Sequence, residues 1–155
     1  MHTILSWMRT ATAGIVVLGA AAAMAAAPGP SPASAAPIAD AGRYKVIVHV
    51  GDAEPAKWNV ALNNVANLQK EIGAANIDIE VVAINAGLGM LKVDSPVGNR
   101  VADALKSGVV IVACENSMHG QKLVREDMLA DIGYVKAGVV ELMERQRQGY
   151  AYIRP

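Results

Sequence analysis

The stretch VVIVAC, residues 109–114, is apolar at every position and ends in the only cysteine of the chain. A strand with one solvent-facing side alternates apolar and polar residues. A run that is apolar on both faces is instead typical of a parallel sheet covered on both sides. The stretch therefore predicts a central parallel strand with Cys114 at its carboxyl end.

Strands and helices alternate on both sides of this stretch. YKVIVHV (44–50) and IDIEVVAI (77–84) are further predicted strands, and YAYI (150–153) is a terminal strand or an extended arm. The predicted helical segments are 55–73, 96–108, 121–133 and 136–149. This order predicts an α/β fold, a three-layer α/β/α sandwich with a mostly parallel sheet of about five strands.

Two of the predicted helices carry a recognisable apolar stripe. In 55–73 the stripe includes Trp58, Leu62 and Val65, with Pro55 in the first turn and Gly73 just past the end. In 136–149 the predicted inward stripe is Val139, Val140 and Met143.

Residues 1–35 predict a secretory signal peptide. Arg9 precedes an Ala-rich apolar run (11–27), and small residues follow it. Cleavage fits after Ala25 or after Ala35, and an uncleaved anchor is the alternative. We expect a linker over 36–43, a domain over 44–155, a periplasmic or secreted protein, and no stable membrane span after cleavage.

Composition argues against a nucleic-acid partner and limits the roles of the single cysteine. The chain has 14 Lys and Arg against 14 Asp and Glu, no Phe, and six aromatic residues in total, two Trp and four Tyr. Without a basic stripe or a platform for stacking bases, no nucleic-acid partner is predicted. One cysteine cannot form an intrachain disulfide, so it is hidden, paired between chains, or used.

Polar residues follow three of the predicted strands. His49 ends the first, Asn85–Gly89 follow the second, and Cys114–His119 follow the third. In open α/β sheets, ligands bind beyond the carboxyl ends of the strands. We therefore predict a pocket around Cys114 formed by the residues His49, Asn85, Gly87, Gly89, Asn116, Ser117 and His119.

Cys114 admits two interpretations. A lone cysteine at the end of an apolar strand is often a small buried hydrophobe. Its position at the strand end, before a polar ENS segment whose backbone N–H groups can stabilise a thiolate, favours a reactive sulfur instead. Glu115 opposes this, because a nearby carboxylate raises the pKa of a thiol.

Cys114, Met118 and His119 together are a soft ligand set that suits copper. The chain has no C-x-x-C or H-x-x-x-H motif and no second cysteine. We therefore predict no metal ion and no organic cofactor.

Six segments together resemble a known family. These are VIVHV (46–50), WNVALNNVAN (58–67), NAGLG (85–89), VACENS (112–117), AGVVELMERQ (137–146) and GYAYIRP (149–155). The chain resembles the DsrE/DsrF-like family, which is related to sulfur-relay proteins.

The resemblance implies a homo-oligomer, commonly a trimer or hexamer, and a single cysteine that carries sulfane sulfur as a persulfide. By position, that cysteine is Cys114, and its partners would be a sulfur donor or acceptor protein or a small sulfur compound. Relay members often continue after their cysteine with small residues and an Arg–Gly pair, whereas this chain has ENSMHG (115–120). The alternative function is a non-catalytic oligomeric binding module in which Cys114 is buried or binds a soft metal ion.

Overall fold

The computed structural model describes residues 42–155. The predicted signal peptide and most of the predicted linker lie outside this range. The elements are β1 (Tyr44–Val50), α1 (Pro55–Ile72), β2 (Ile77–Ala83), α2 (Gly98–Lys106), β3 (Val110–Cys114), α3 (Glu115–Gly120), β4 (Gly133–Val135), α4 (Gly138–Arg147) and β5 (Ala151–Ile153). Short 3₁₀ helices span Ala74–Asn76, Asn85–Leu91 and Arg125–Asp127.

The described strands form one sheet in the order β4-β3-β2-β1-β5, and all neighbouring pairs are parallel. This confirms the predicted α/β fold with a parallel sheet of about five strands, although β4 is not among the strands predicted by position. As VVIVAC predicts, β3 is an internal strand with β2 on one side and β4 on the other.

One face of the sheet is covered by α1 and α2. Alternate residues of β1, β2 and β3 point to this face, and they pack against Trp58, Leu62 and Val65 of α1 and Val101 of α2. The predicted stripe of the first helix is confirmed, because these three α1 residues are buried. This face holds the larger of the two apolar clusters.

The opposite face is covered by α4, which contacts β1 and β2. The predicted apolar stripe of this helix is wrong, because Val139, Val140 and Met143 are exposed. The residues of α4 that are buried are Gly138 and Leu142. The pattern of apolar residues predicts the wrong side of α4, because the side that faces the sheet carries a glycine that allows close approach and an arginine that forms an ion pair.

The helix predicted over 121–133 is also wrong. This segment holds only the 3₁₀ turn Arg125–Asp127 and then enters β4. Beyond this turn its backbone bonds to another segment: Leu129 N–H donates to Leu91 O at 2.8 Å, and Val93 N–H donates to Asp127 O at 3.0 Å. Asp131, with φ 64°, is in the left-handed region, which interrupts any right-handed helix.

None of the helices within residues 42–155 is long and apolar enough to span a bilayer.

The facing of α4 can be tested with two neighbouring residues. Leu142 is 8% exposed and Met143 is 53% exposed. We expect Leu142→Ala to lower the free energy of unfolding by about 2–5 kcal/mol, because it removes buried methyl groups and leaves a cavity. Met143→Ala is the control and, within a single subunit, should change it by no more than about 0.5 kcal/mol, because the side chain is exposed in that subunit. Chemical denaturation measures both, and equal losses would contradict this orientation of the helix.

Candidate functional site

Cys114 is the last residue of β3, and α3 begins at the next residue. The turn is held to the chain before α4 by the Asn116 N–H, which donates to Lys136 O at 3.1 Å. Three segments that follow strands therefore meet at the carboxyl edge of the sheet: residues 84–85, 114–121 and 137–139.

The Cys114 side chain lies on the face covered by α4, and the residue is 3% exposed. The Gly138 N–H at the start of α4 donates to Cys114 Sγ at 3.2 Å. Burial by itself raises the pKa of the thiol. Hydrogen bonds from the Ser117 hydroxyl and from the backbone N–H groups of Gly138, Ser117 and Asn116 outweigh it and lower the pKa below its ordinary value.

Ser117 connects the sulfur to the segment after β2. Its Oγ accepts a hydrogen bond from the Asn85 N–H at 3.0 Å and donates one to Asn85 Oδ1 at 3.4 Å. The second bond is long, and the hydroxyl hydrogen that makes it is the one that would turn to a Cys114 thiolate and lower the pKa of the thiol. A hydroxyl that accepts one bond becomes a better donor for the next.

Glu115 is turned towards a cation. Its Oε1 lies 2.7 Å from Arg125 Nη2, and the Arg125 guanidinium stands 4.2 Å from the centre of the Tyr134 ring. The negative charge next to Cys114 in sequence is therefore compensated by an arginine that is itself held in place.

A cavity of about 400 Å³ adjoins the sulfur. Its wall combines polar and apolar groups and is formed by Ile84, Asn85, Cys114, Asn116, Ser117, Gly120, Gln121, Ala137, Gly138 and Val139. Gln121 is fixed in this wall, since its Nε2 donates to Asn85 O at 2.7 Å. A larger groove of about 620 Å³ lies between α2 and the start of β3, and its lining carries no cysteine or histidine.

Gly138 is a site residue that sequence reasoning missed. A Cβ on it would lie 2.6 Å from Ile84 Cγ1 and 3.2 Å from Cys114 Cβ. Only glycine therefore lets the start of α4 approach close enough for its N–H to reach the sulfur. The signal available in the sequence was the glycine in AGVVEL (137–142), directly before the exposed apolar residues.

The structure brings together four of the residues predicted for the pocket: Asn85, Cys114, Asn116 and Ser117. The two glycines of the 85–91 segment serve packing elsewhere. A Cβ on Gly87 would lie 2.2 Å from Val50 O, and one on Gly89 would lie 2.9 Å from the Trp58 ring.

The two predicted histidines do not line the cavity. His49 lies on β1, where Nδ1 is 2.8 Å from the Tyr152 hydroxyl. Burial and then the charge of Arg154 lower the pKa of His49, against a smaller opposite effect of Asp52. His119 is exposed on α3, while Met118 is buried in the cluster on the other face of the sheet.

The soft ligand set Cys114, Met118 and His119 is therefore not assembled in this structure. Among residues 42–155, no group of three or more His, Cys, Asp or Glu side chains is placed to hold a metal ion.

The sequence profile of the DsrE/DsrF-like family matches residues 44–155. The chain belongs to the DsrE/DsrF-like family. No curated protein is significantly similar to it in sequence.

Solved structures place this DsrE/DsrF-like chain among proteins of the same fold. MTH1491 from Methanobacterium thermoautotrophicum, a protein of unknown function, is 31% identical with a TM-score of 0.69, over 72% of this chain and 99% of its own. YchN from E. coli is 12% identical with a TM-score of 0.60, over 72% and 99%. BT1422 from Bacteroides thetaiotaomicron is 16% identical with a TM-score of 0.57, over 72% and 94%. The last two likenesses concern the fold alone.

The role of the Ser117 hydroxyl can be tested in this DsrE/DsrF-like chain by substitution. A hydrogen bond to a charged group contributes about 1.5 kcal/mol, so Ser117→Ala should slow alkylation of Cys114 at neutral pH about tenfold. The alkylation rate with a small haloacetamide, followed against pH, measures the effect. The control is Ser107→Ala, because Ser107 Oγ bonds to Ala104 O and Gln69, remote from the sulfur. Equal rates in Ser117→Ala and the parent protein would contradict the assignment.

Proposed function

We propose that the protein is a periplasmic sulfur carrier that holds sulfane sulfur as a persulfide on Cys114. The observation that carries the proposal is the hydrogen bond from the Gly138 N–H to the buried Cys114 Sγ at 3.2 Å. With the Ser117 hydroxyl and the neighbouring backbone N–H groups, this bond lowers the pKa of the thiol and so favours the thiolate, which is the form of cysteine that attacks sulfur. The adjoining cavity of about 400 Å³ leaves space for an added sulfur atom.

The transfer step is a displacement at sulfur. The Cys114 thiolate attacks the terminal sulfur of a persulfide R–S–SH, a new S–S bond forms, and the old S–S bond breaks. The electron pair leaves with the thiolate R–S⁻, and Cys114–S–SH remains. Atoms and electrons balance without an external oxidant or reductant, so the step requires no metal or organic cofactor.

The cavity wall supplies groups that suit a bound sulfane. The side chains of Asn85, Asn116 and Gln121 line it beside the Ser117 hydroxyl. Amide N–H groups of this kind can donate to the terminal sulfur of a persulfide. The donor or acceptor of the sulfur is a small sulfur compound or a partner protein that presents a persulfide at this edge of the sheet.

The periplasmic or secreted location is part of the proposal. It is supported by the basic start, the Ala-rich run and the small-x-small patterns at 23–25 and 33–35.

The persulfide is detectable by mass. After incubation with inorganic polysulfide, we expect Cys114 to gain mass in multiples of one sulfur atom and to lose it on reduction. Mass spectrometry of the intact protein and of its peptides measures this. Cys114→Ser is the control and should gain nothing. A thiol that stays unmodified while free cysteine in the same tube is persulfidated would contradict the proposal.

The alternative is a non-catalytic binding module, and the 3% exposure of Cys114 favours it. The sulfur carrier and the binding module can be distinguished by applying a thiol reagent to the protein before and after denaturation. A cysteine that reacts only after denaturation supports a buried structural role. One that reacts when folded but is protected by Cu(I) supports a soft metal site.

We also propose that the chain forms a homo-oligomer, a trimer or a hexamer, through the outer side of α4. Three apolar side chains are exposed there, Val139 at 65%, Val140 at 48% and Met143 at 53%. Apolar side chains grouped in this way are typical of contact surfaces. Because Val139 also lines the cavity beside Cys114, a second copy on α4 would form part of the pocket wall.

The proposed contact through α4 can be tested by placing charged residues on it. Val140→Glu together with Met143→Glu should lower the mass in solution, since two carboxylates cannot be buried without partners. Light scattering after size exclusion measures the mass at a fixed protein concentration. Val60→Glu is the control, because Val60 is an exposed valine on α1. A monomeric parent protein, or equal dissociation of the control, would contradict the proposal.

A further inference from the structure

The inward side of α4 has three parts. Gly138 lies over Cys114 at the start of the helix, and Leu142 fills the middle. Arg145 and Glu141 lie over Glu80 of β2 towards the end. A rise of about 1.5 Å per residue puts the two ends about 10 Å apart on one rigid element. The helix is therefore held on the sheet by one leucine, one glycine contact and one group of charges.

That group is built around a buried carboxylate. The Glu80 side chain is 3% exposed, and its Oε2 lies 2.6 Å from Arg145 Nε. The same nitrogen lies 2.8 Å from Glu141 Oε1. Glu80 Oε1 is buried and has no hydrogen-bond partner among the described residues. We call Glu80, Glu141 and Arg145 the carboxylate cluster.

The charges around Glu80 do not balance when both carboxylates are ionised. Two negative charges then share one guanidinium, and one of them, Glu80, is buried. Burial raises the pKa of Glu80 to about 7, the charge of Arg145 opposes this, and Glu141 adds to it. The neighbouring charged or titratable groups are Lys45 and Arg145, both next to the Tyr150 ring, and the ion pair of Asp78 with Arg43.

We propose that the carboxylate cluster positions α4 on the sheet, so that the protonation of Glu80 is linked to the contact between Gly138 and Cys114. Glu80 and Arg145 are positioning residues in this arrangement, because they act on the sulfur through the helix. The link to sulfur transfer rests on the function proposed above.

The direction of the linkage follows from the charges. A neutral Glu80 donates its carboxyl proton to Glu141, and the cluster carries no net charge. An ionised Glu80 repels Glu141, and its Oε1 has no donor to balance the buried charge, which weakens the seating of α4. Since folding raises the pKa of Glu80 from 4.5 to about 7, the stability that this group contributes is full below pH 4.5 and is lost as the pH rises to about 7. When α4 is held less firmly on the sheet, the hydrogen bond from the Gly138 N–H to Cys114 Sγ lengthens. The thiolate form of Cys114 is then less favoured.

The first test is a thiolate titration. Glu80→Gln keeps the shape of the side chain without its charge, so it should keep α4 seated at all pH values. We expect the thiolate absorbance of Glu80→Gln to rise in one step and at a lower pH than in the parent protein. The matched control is Asp78→Asn, which removes a half-exposed carboxylate from the same side of β2 and should titrate like the parent. Identical curves for Glu80→Gln and the parent, or an equal shift in Asp78→Asn, would overturn the proposal.

The second test needs no reactive thiol. In a Cys114→Ser background the Gly138 N–H keeps an acceptor that does not titrate. Its amide proton shift in an NMR titration should change with a midpoint near pH 7 and should stay constant when Glu80→Gln is added. A constant shift in Cys114→Ser alone would refute the linkage. Both tests measure how α4 is positioned over Cys114, and neither measures sulfur transfer. A protein that forms no persulfide, which contradicts the proposed function, can therefore still confirm the linkage between Glu80 and α4.

Discussion

The parallel direction of all five strands is the constraint on which the rest of this structure depends. Each strand must be reached by a connection that returns along a face of the sheet, and all carboxyl ends lie at one edge. Residues 85, 114–117 and 137–138 are far apart in the chain, yet each follows the end of a strand at this edge. The donors around Cys114 come from these separate connections, and none of them alone would form the pocket.

The two faces of the sheet are covered unequally, and the site lies on the thinner side. α1 and α2 share one face, whereas the ten residues of α4 cover the other. A helix with one buried leucine needs other attachments, and it has a glycine contact at one end and a buried ion pair at the other. The surroundings of Cys114 and the seating of the helix therefore depend on the same short element.

Periodicity predicted the elements that pack through apolar side chains. The central strand β3, the helix α1 and the α/β class follow from regular burial, which a sequence records directly. Where backbone hydrogen bonds, close contacts or ion pairs determine the structure, the apolar pattern gives a wrong prediction. Residues 121–133 look helical, but their backbone bonds to residues 91–93. Val139, Val140 and Met143 look like a core stripe, but α4 turns Gly138 and Arg145 inward instead.

The sequence by itself determined the class of fold, the family resemblance and the position of Cys114 at the end of an internal strand. Each of these depends on the order and periodicity of residues along the chain. Only the tertiary structure decided which groups surround the sulfur. The Gly138 N–H donates to the sulfur, and Asn85 and Ser117 line the cavity beside it, whereas His49, Gly87, Gly89 and His119 do not. The reason is physical: hydrogen bonds and close approaches between distant segments depend on distances of a few tenths of an ångström, which no one-dimensional pattern contains.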